Sequence, residues 1–154
     1  MIMKLLKTLR IIHVAVLVEA LVFFAVVFIL NKDTELVWMN EENPDLFLIG
    51  LVLIVISAMS AFIVPRMMLN SVRSKESKEE RLKAYFSVAI IRMALLDAAM
   101  TMSIVFFLID KAWIYVLILS LLILIFLGMF PSQQQIERDT ETSIGDYSED
   151  EFND

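Results

Sequence analysis

Four long apolar segments alternate with short polar segments along this chain of 154 residues. They cover residues 11–30, 46–64, 86–109 and 112–130. Each has about the 20 residues that an α-helix needs to cross a hydrocarbon core of about 30 Å. The pattern predicts an all-α protein whose residues 1–131 form a bundle of four transmembrane helices.

The basic residues are concentrated on one side of the predicted membrane. Lys4, Lys7 and Arg10 occur at the N-terminus with no acid among them, and the segment between the second and third apolar runs is also rich in lysine and arginine. Loops with an excess of basic residues stay in the cytoplasm. The sequence therefore predicts cytoplasmic termini, with Trp38 and Trp113 near the outer headgroups. We expect the membrane to be the cytoplasmic (inner) membrane of a bacterium.

The C-terminal segment 132–154 differs sharply from the rest of the chain. It contains many acids and a single base, Arg138. A segment of this composition cannot bury enough apolar surface to fold alone. We predict a disordered, acidic cytoplasmic tail. The alternative is that Tyr147 and Phe152, which lie among the acids, dock on a basic partner.

The two halves of the chain resemble each other. When Glu19 is aligned with Asp97, apolar residues match around both acids, and the second and fourth apolar runs both end at a proline, Pro65 and Pro131. The match predicts two helical hairpins of the same orientation, related by an axis along the membrane normal. Both acids then lie about 16–18 Å from the outer boundary, near the midplane. A two-hairpin bundle can bring them together on its axis.

Three charged residues within the predicted spans are the candidate site. Glu19, Asp97 and Arg92 are costly in lipid, so we expect them to face the bundle interior, another protein or water. A Glu19–Asp97 pair can share a proton or hold a cation, or it can act as a polar contact between helices. Thr101 follows Asp97 by one turn and can hydrogen-bond to it. Arg92 is either a counter-charge to Glu19 or a partner's acid, or it extends its long side chain to cytoplasmic water.

Small residues in the second and third spans indicate a close helix contact. Ser57 and Ala61 have the small-xxx-small spacing in one span, and Ala94 and Ala98 have it in the other. This spacing lets two helix backbones approach closely in a membrane. We therefore expect these two spans to be neighbours.

The composition gives no support to catalysis or to nucleic-acid binding. The chain has no cysteine and one histidine, His13, which we expect at the membrane interface. No second imidazole and no thiolate can complete a metal site with it. Neither a glycine-rich phosphate loop nor a metal-ligand spacing is present. We expect no enzymatic activity, no metal, no cofactor and no nucleic-acid partner.

The residues around Glu19 resemble a helix of a known family. Val16-Leu17-Val18-Glu19-Ala20-Leu21 is similar to the carboxylate helix of rotary ATP synthase c subunits, in which the acid binds an ion. The resemblance covers about one helix, and the c subunits carry this acid on the second helix of a glycine-repeat hairpin. A glutamate in the first of four spans is also similar to small multidrug transporters. The whole chain resembles small uncharacterised four-helix proteins of bacterial membranes.

Two interpretations of function follow from the intramembrane charges. In the first, the protein is a non-catalytic subunit or adaptor that joins a homo-oligomer or a membrane-protein partner, with Glu19, Asp97 and Arg92 as polar contacts. In the second, the Glu19–Asp97 carboxyl pair handles protons or cations. The spans contain few polar residues and so offer little aqueous pathway, which favours the first interpretation.

Overall fold

Within residues 2–39, 43–75 and 77–140, which the computed structural model describes, the chain forms five α-helices. They are α1 (Ile2–Leu30), α2 (Pro44–Arg73), α3 (Lys78–Asp110), α4 (Trp113–Gly128) and α5 (Gln133–Thr140). The prediction of an all-α protein is confirmed. Helices α1, α2 and α3 are long and apolar enough to cross a membrane, whereas α4 has 16 residues and is shorter.

The ends of the long helices follow from local sequence. The proline at the start of α2, Pro44, lacks the N–H that a helix start leaves unpaired anyway. At the start of α3, the Ser77 side chain accepts a hydrogen bond of 3.1 Å from the backbone N–H of Glu80. The same helix ends at Lys111, whose left-handed backbone (φ 55°) lets its N–H bond to the carbonyl of Phe107.

Helix α3 lies at the centre of the bundle. It packs against α1, α2 and α4, and its most extensive contact is with α2. Within the described residues α1 and α2 make no extensive contact with each other, and each packs on α3. The predicted first hairpin is therefore wrong as a packing unit. The second hairpin, α3 with α4, does form.

Small residues lie in the contact between α2 and α3. Ser57 donates a hydrogen bond of 3.0 Å from its hydroxyl to the backbone carbonyl of Leu95. Ala61 of α2 and Ala99 of α3 are both fully buried. The predicted neighbourhood of the second and third apolar segments is confirmed. On α3, Ala99 is buried and Ala98 is half-buried, whereas Ala94 is exposed.

We expect Ser57→Ala to lower the free energy of unfolding by about 0.5–1 kcal/mol, because interhelical side-chain hydrogen bonds in membranes average about 0.6 kcal/mol. Ser60→Ala is the matched control, since the Ser60 hydroxyl donates only to Ile56 of its own helix, at 2.7 Å. Unfolding with dodecyl sulfate in mixed micelles measures both changes. Equal losses for the two variants would contradict the interhelical role of Ser57.

The segment after α1 closes one end of the bundle. The N–H of Trp113 donates to the carbonyl of Val37 at 2.9 Å, and the N–H of Val37 donates to the carbonyl of Lys111 at 3.2 Å. The buried side-chain amide of Asn31 donates to the carbonyl of Phe107 at 3.4 Å. These bonds place Trp38, which follows Val37, at the same end as Trp113. The two tryptophans therefore lie at the same end of the bundle.

Helix α5 covers the opposite end, at which α1 begins. It packs on α2 and α3, and Ile136 is buried between them. The Ser132 hydroxyl accepts a hydrogen bond of 3.2 Å from the N–H of Gln135 at the helix start. The predicted disorder of 132–154 is therefore wrong for Gln133–Thr140, because the long ends of α2 and α3 give this short helix an apolar surface. Tyr147 and Phe152 lie outside the described residues.

Candidate functional site

Glu19 lies on the outward face of α1. Four of the five buried residues of α1 in the described chain recur every seven positions, at Leu6, His13, Ala20 and Val27, and this stripe faces the rest of the bundle. The fifth, Leu9, lies about one turn from Leu6. Glu19 precedes Ala20 but falls outside the stripe, so its side chain is exposed. The predicted position of Glu19 on the bundle axis is therefore wrong.

The exposed residues beside Glu19 form a continuous surface, which we call the α1 face. Its apolar part is made largely of valine side chains one turn apart, and two basic residues lie at the start of the helix. The α1 face consists of Lys7, Arg10, Ile11, Val14, Ala15, Val18, Glu19 and Val22. The face runs for about 23 Å along α1, and its one acid, Glu19, lies near the end marked by Val22.

Asp97 lies next to the α1 face, on α3. Its side chain is half-buried, and its carboxyl is within electrostatic range of the Glu19 carboxyl. The two acids are therefore near each other, as predicted, but at an open edge between α1 and α3. Thr101 is exposed, and the predicted hydrogen bond between Thr101 and Asp97 does not occur in the structure.

Neither acid has a polar partner within the part of the chain that the structure describes. The Glu19 and Asp97 carboxyls make no hydrogen bond and no ion pair with residues 2–39, 43–75 or 77–140. Arg92 is half-buried and pairs with neither acid. It lies five residues before Asp97, which is about 7.5 Å along the helix. The predicted counter-charge between Arg92 and Glu19 is therefore not formed.

A second polar region lies at the end of the bundle where α1 begins. It is a cavity of about 20 Å³, and its polar lining consists of His13, Tyr85, Arg92 and Gln135. His13 is 1% exposed, and its ring stacks on Phe126 with the ring centroids 4.0 Å apart. The His13 side chain belongs to the buried stripe of α1, and its position at the membrane interface stays a prediction. Its seven-residue spacing from Leu6 was the signal in the sequence.

No group of three or more His, Cys, Asp or Glu side chains that could hold a metal ion occurs among the described residues. Comparison with known proteins adds no relative: no protein-family model, no curated protein and no solved structure matches this chain. Function is therefore inferred from the two polar regions themselves.

Proposed function

We propose that this protein is a non-enzymatic, multi-pass membrane protein that acts as a subunit or adaptor of a membrane complex. The α1 face and the adjacent Asp97 receive a transmembrane helix of the partner. One observation supports this proposal above the others: Glu19 is exposed in the middle of an apolar helix, beside Asp97, and neither acid has a polar partner within the described chain. A charge in hydrocarbon costs a few kcal/mol, which a donor from a partner would offset.

In this proposal α4 is the fourth span. Tyr115 stacks on Phe106, and Phe126, near the other end of α4, stacks on His13. The helix therefore runs along the bundle from one end towards the other, although its 16 residues reach only about 24 Å. An even number of spans puts both termini on the side of the basic N-terminus, which is the cytoplasm. We assign the protein to the cytoplasmic membrane of a bacterium.

The long hairpin of α2 and α3 fits this arrangement. Helix α2 has 30 residues and α3 has 33, which corresponds to about 45–50 Å at a rise of 1.5 Å per residue. Both exceed the hydrocarbon thickness of about 30 Å. Their joined ends carry the charged residues between them and extend into the cytoplasm, where α5 packs against them.

Charge complementarity favours a partner of a different kind over a second copy. Two copies in one membrane are related by an axis along the membrane normal, so residues of equal depth face each other. Such a dimer would place Glu19 of one copy against Glu19 of the other. Arg92 of the second copy could not neutralise them, because it lies at a different depth. A helix of another protein with a lysine, an arginine or another hydrogen-bond donor near its midpoint would supply what both acids lack.

A peptide-binding experiment tests this proposal. The full chain is reconstituted in lipid vesicles with one of two fluorescent transmembrane peptides, each built of leucine and alanine, with lysine or leucine at the central position. We expect the protein to bind the lysine peptide at least about tenfold more tightly than the leucine peptide, since one charge-assisted contact can contribute about 1.4 kcal/mol to binding. Energy transfer from the protein to the peptide measures this binding.

The carboxyls are tested by removing their charge. Glu19→Gln combined with Asp97→Asn should abolish the preference for the lysine peptide. The matched control is Glu35→Gln with Asp45→Asn, which neutralises two exposed acids outside the apolar segments and should leave binding unchanged. Equal binding of both peptides would refute the adaptor surface. Energy transfer between copies of the protein, lost in the Glu19–Asp97 variant, would instead identify a homo-oligomer.

Proton or cation handling is the second candidate function, and the proximity of the Glu19 and Asp97 carboxyls favours it. Two nearby carboxyls out of water can share one proton, and such a group reacts with hydrophobic carbodiimides. If vesicles with the protein conduct protons, and both the flux and carbodiimide labelling disappear in the Glu19–Asp97 variant, this function replaces the adaptor.

A further inference from the structure

The cavity between α1, α3, α4 and α5 has the features of a binding site that is independent of the α1 face. Its volume is about 20 Å³. A cavity of this size holds one water molecule or one ion of similar radius. His13 comes from α1, Tyr85 and Arg92 from α3, and Gln135 from α5, so four polar side chains on three helices converge on one small space.

His13 is the buried anchor of this site. The backbone carbonyl of Phe126 is within reach of a ring N–H of His13, but outside good hydrogen-bond geometry. The other ring nitrogen has no partner in the described chain, and the side chain is 1% exposed. The ring is held by stacking on Phe126 and by an edge contact with Phe130, whose centroid is 5.3 Å away. A buried polar group that is left unpaired is costly. One ring nitrogen of His13 is therefore left for a polar atom of the occupant of the cavity.

The other polar side chains of the cavity are also available. The hydroxyl of Tyr85, a buried residue, and the guanidinium of the half-buried Arg92 make no hydrogen bond with another described residue. Arg10 adds a second positive charge nearby, since its Nε donates at 3.2 Å to the carbonyl of Pro131, a residue of the cavity wall. No carboxylate belongs to the lining of this cavity.

The acid within electrostatic range of Tyr85 is Asp139 of α5. It lies 3.6 Å from the guanidinium of Arg138, so part of its negative charge is offset there. The cavity therefore has a positive surrounding and several N–H and O–H donors. Such a set of groups is suited to an anion, because ionised acceptors form the stronger hydrogen bonds.

We propose that this cavity binds a small monovalent inorganic anion of halide size. Arg92 supplies the charge, and the Tyr85 hydroxyl and one ring N–H of His13 supply hydrogen bonds. The volume of about 20 Å³ is sufficient for a halide ion. Arg92 then has its counter-charge in the bound ion, and Glu19 and Asp97 stay free for a partner helix.

The single histidine of the chain makes the test specific, because every ring signal belongs to His13. The full chain, labelled with ¹⁵N-histidine, is placed in phosphatidylcholine nanodiscs and titrated with sodium bromide against sodium gluconate at constant ionic strength. We expect a saturable shift of the ring ¹⁵N signals with bromide alone. Arg92→Gln should weaken bromide binding by about tenfold or more, as expected for the loss of one charge-assisted contact.

Two further variants keep the result interpretable. Arg66→Gln removes the same charge from an exposed position of α2 outside the cavity and should bind bromide like the original protein. If Arg92→Gln does not fold, Arg92→Lys retains the charge and should bind with reduced affinity.

A shift that is absent, non-saturable or equal with gluconate would show that the cavity holds water only. A shift that needs phosphatidylglycerol would assign the site to a lipid phosphate. Either outcome overturns the proposal.

Discussion

Gly50→Leu is expected to destabilise the contact between α2 and α3, which is the largest helix contact of the protein. A Cβ atom on Gly50 would lie 2.8 Å from Cδ1 of Phe106, which is closer than two carbon atoms can approach. The Phe106 ring cannot easily move away, because it stacks on Tyr115 of α4 with centroids 5.8 Å apart. Overpacking of this kind lowers the free energy of unfolding by about 1–3 kcal/mol.

The chain provides a matched control for this change. A Cβ on Gly128, at the end of α4, meets no atom within 4 Å, so Gly128→Leu should leave the free energy of unfolding nearly unchanged. Dodecyl sulfate titration in mixed micelles measures both variants. If Gly50→Leu and Gly128→Leu were equally stable, the close approach of α2 to α3 at Gly50 would be refuted.

Phe126→Ala should cause the second large loss. The Phe126 ring is fully buried and stacks on His13, so its removal leaves a void between α1 and α4. In a membrane the unfolded helix still places this ring in hydrocarbon, so the loss comes from packing and little from transfer to water. We therefore expect a decrease of about 2–3 kcal/mol in the free energy of unfolding, below the 3–5 kcal/mol typical of soluble proteins.

The neighbouring residue is the control for Phe126. Leu127 is 46% exposed on the outer side of α4, and Leu127→Ala should change the free energy of unfolding by much less. The same unfolding titration applies. A similar loss for both variants would mean that α4 does not pack through Phe126, and the wall of the His13 cavity would then be wrong.

The positions of the three long apolar helices were the part of the fold that the sequence predicted well, although each helix extends beyond its apolar run. A hydrocarbon core of fixed thickness demands apolar runs of about 20 residues, and α1, α2 and α3 each contain one. The contact of α2 with α3 was also predicted, because Ser57 and Ala61 are small residues one turn apart. Small residues have this meaning in membranes, where close backbone approach is a main source of helix association.

The orientation of the helices about their own axes could not be predicted as well. The depth of Glu19 follows from counting residues at 1.5 Å each, but its direction depends on which side of α1 packs. In a soluble protein polar residues would mark the outer side. In a membrane protein, apolar side chains occur both on the surface that faces lipid and in the bundle interior. The sequence alone therefore does not distinguish Val18 and Val22, on the α1 face, from core residues. Only the seven-residue spacing of Leu6, His13 and Ala20 marks the buried side.

Helix α5 was missed for a different reason. Its eight residues are mostly polar, and a short segment of this kind is not a stable helix alone. Ile136 becomes buried only because the ends of α2 and α3 extend far enough to meet it. That contact is tertiary, so it cannot be predicted from the composition of the segment itself.

The central place of α3 has a consequence for how the chain is made. Helices emerge from the ribosome in order, and α1 and α2 are apolar enough to enter lipid unaided. The least hydropathic of the three long helices is α3, which carries Arg92 and Asp97 and has the largest buried share. We therefore expect α3 to enter the membrane more readily when α1 and α2 are already there to pack against it.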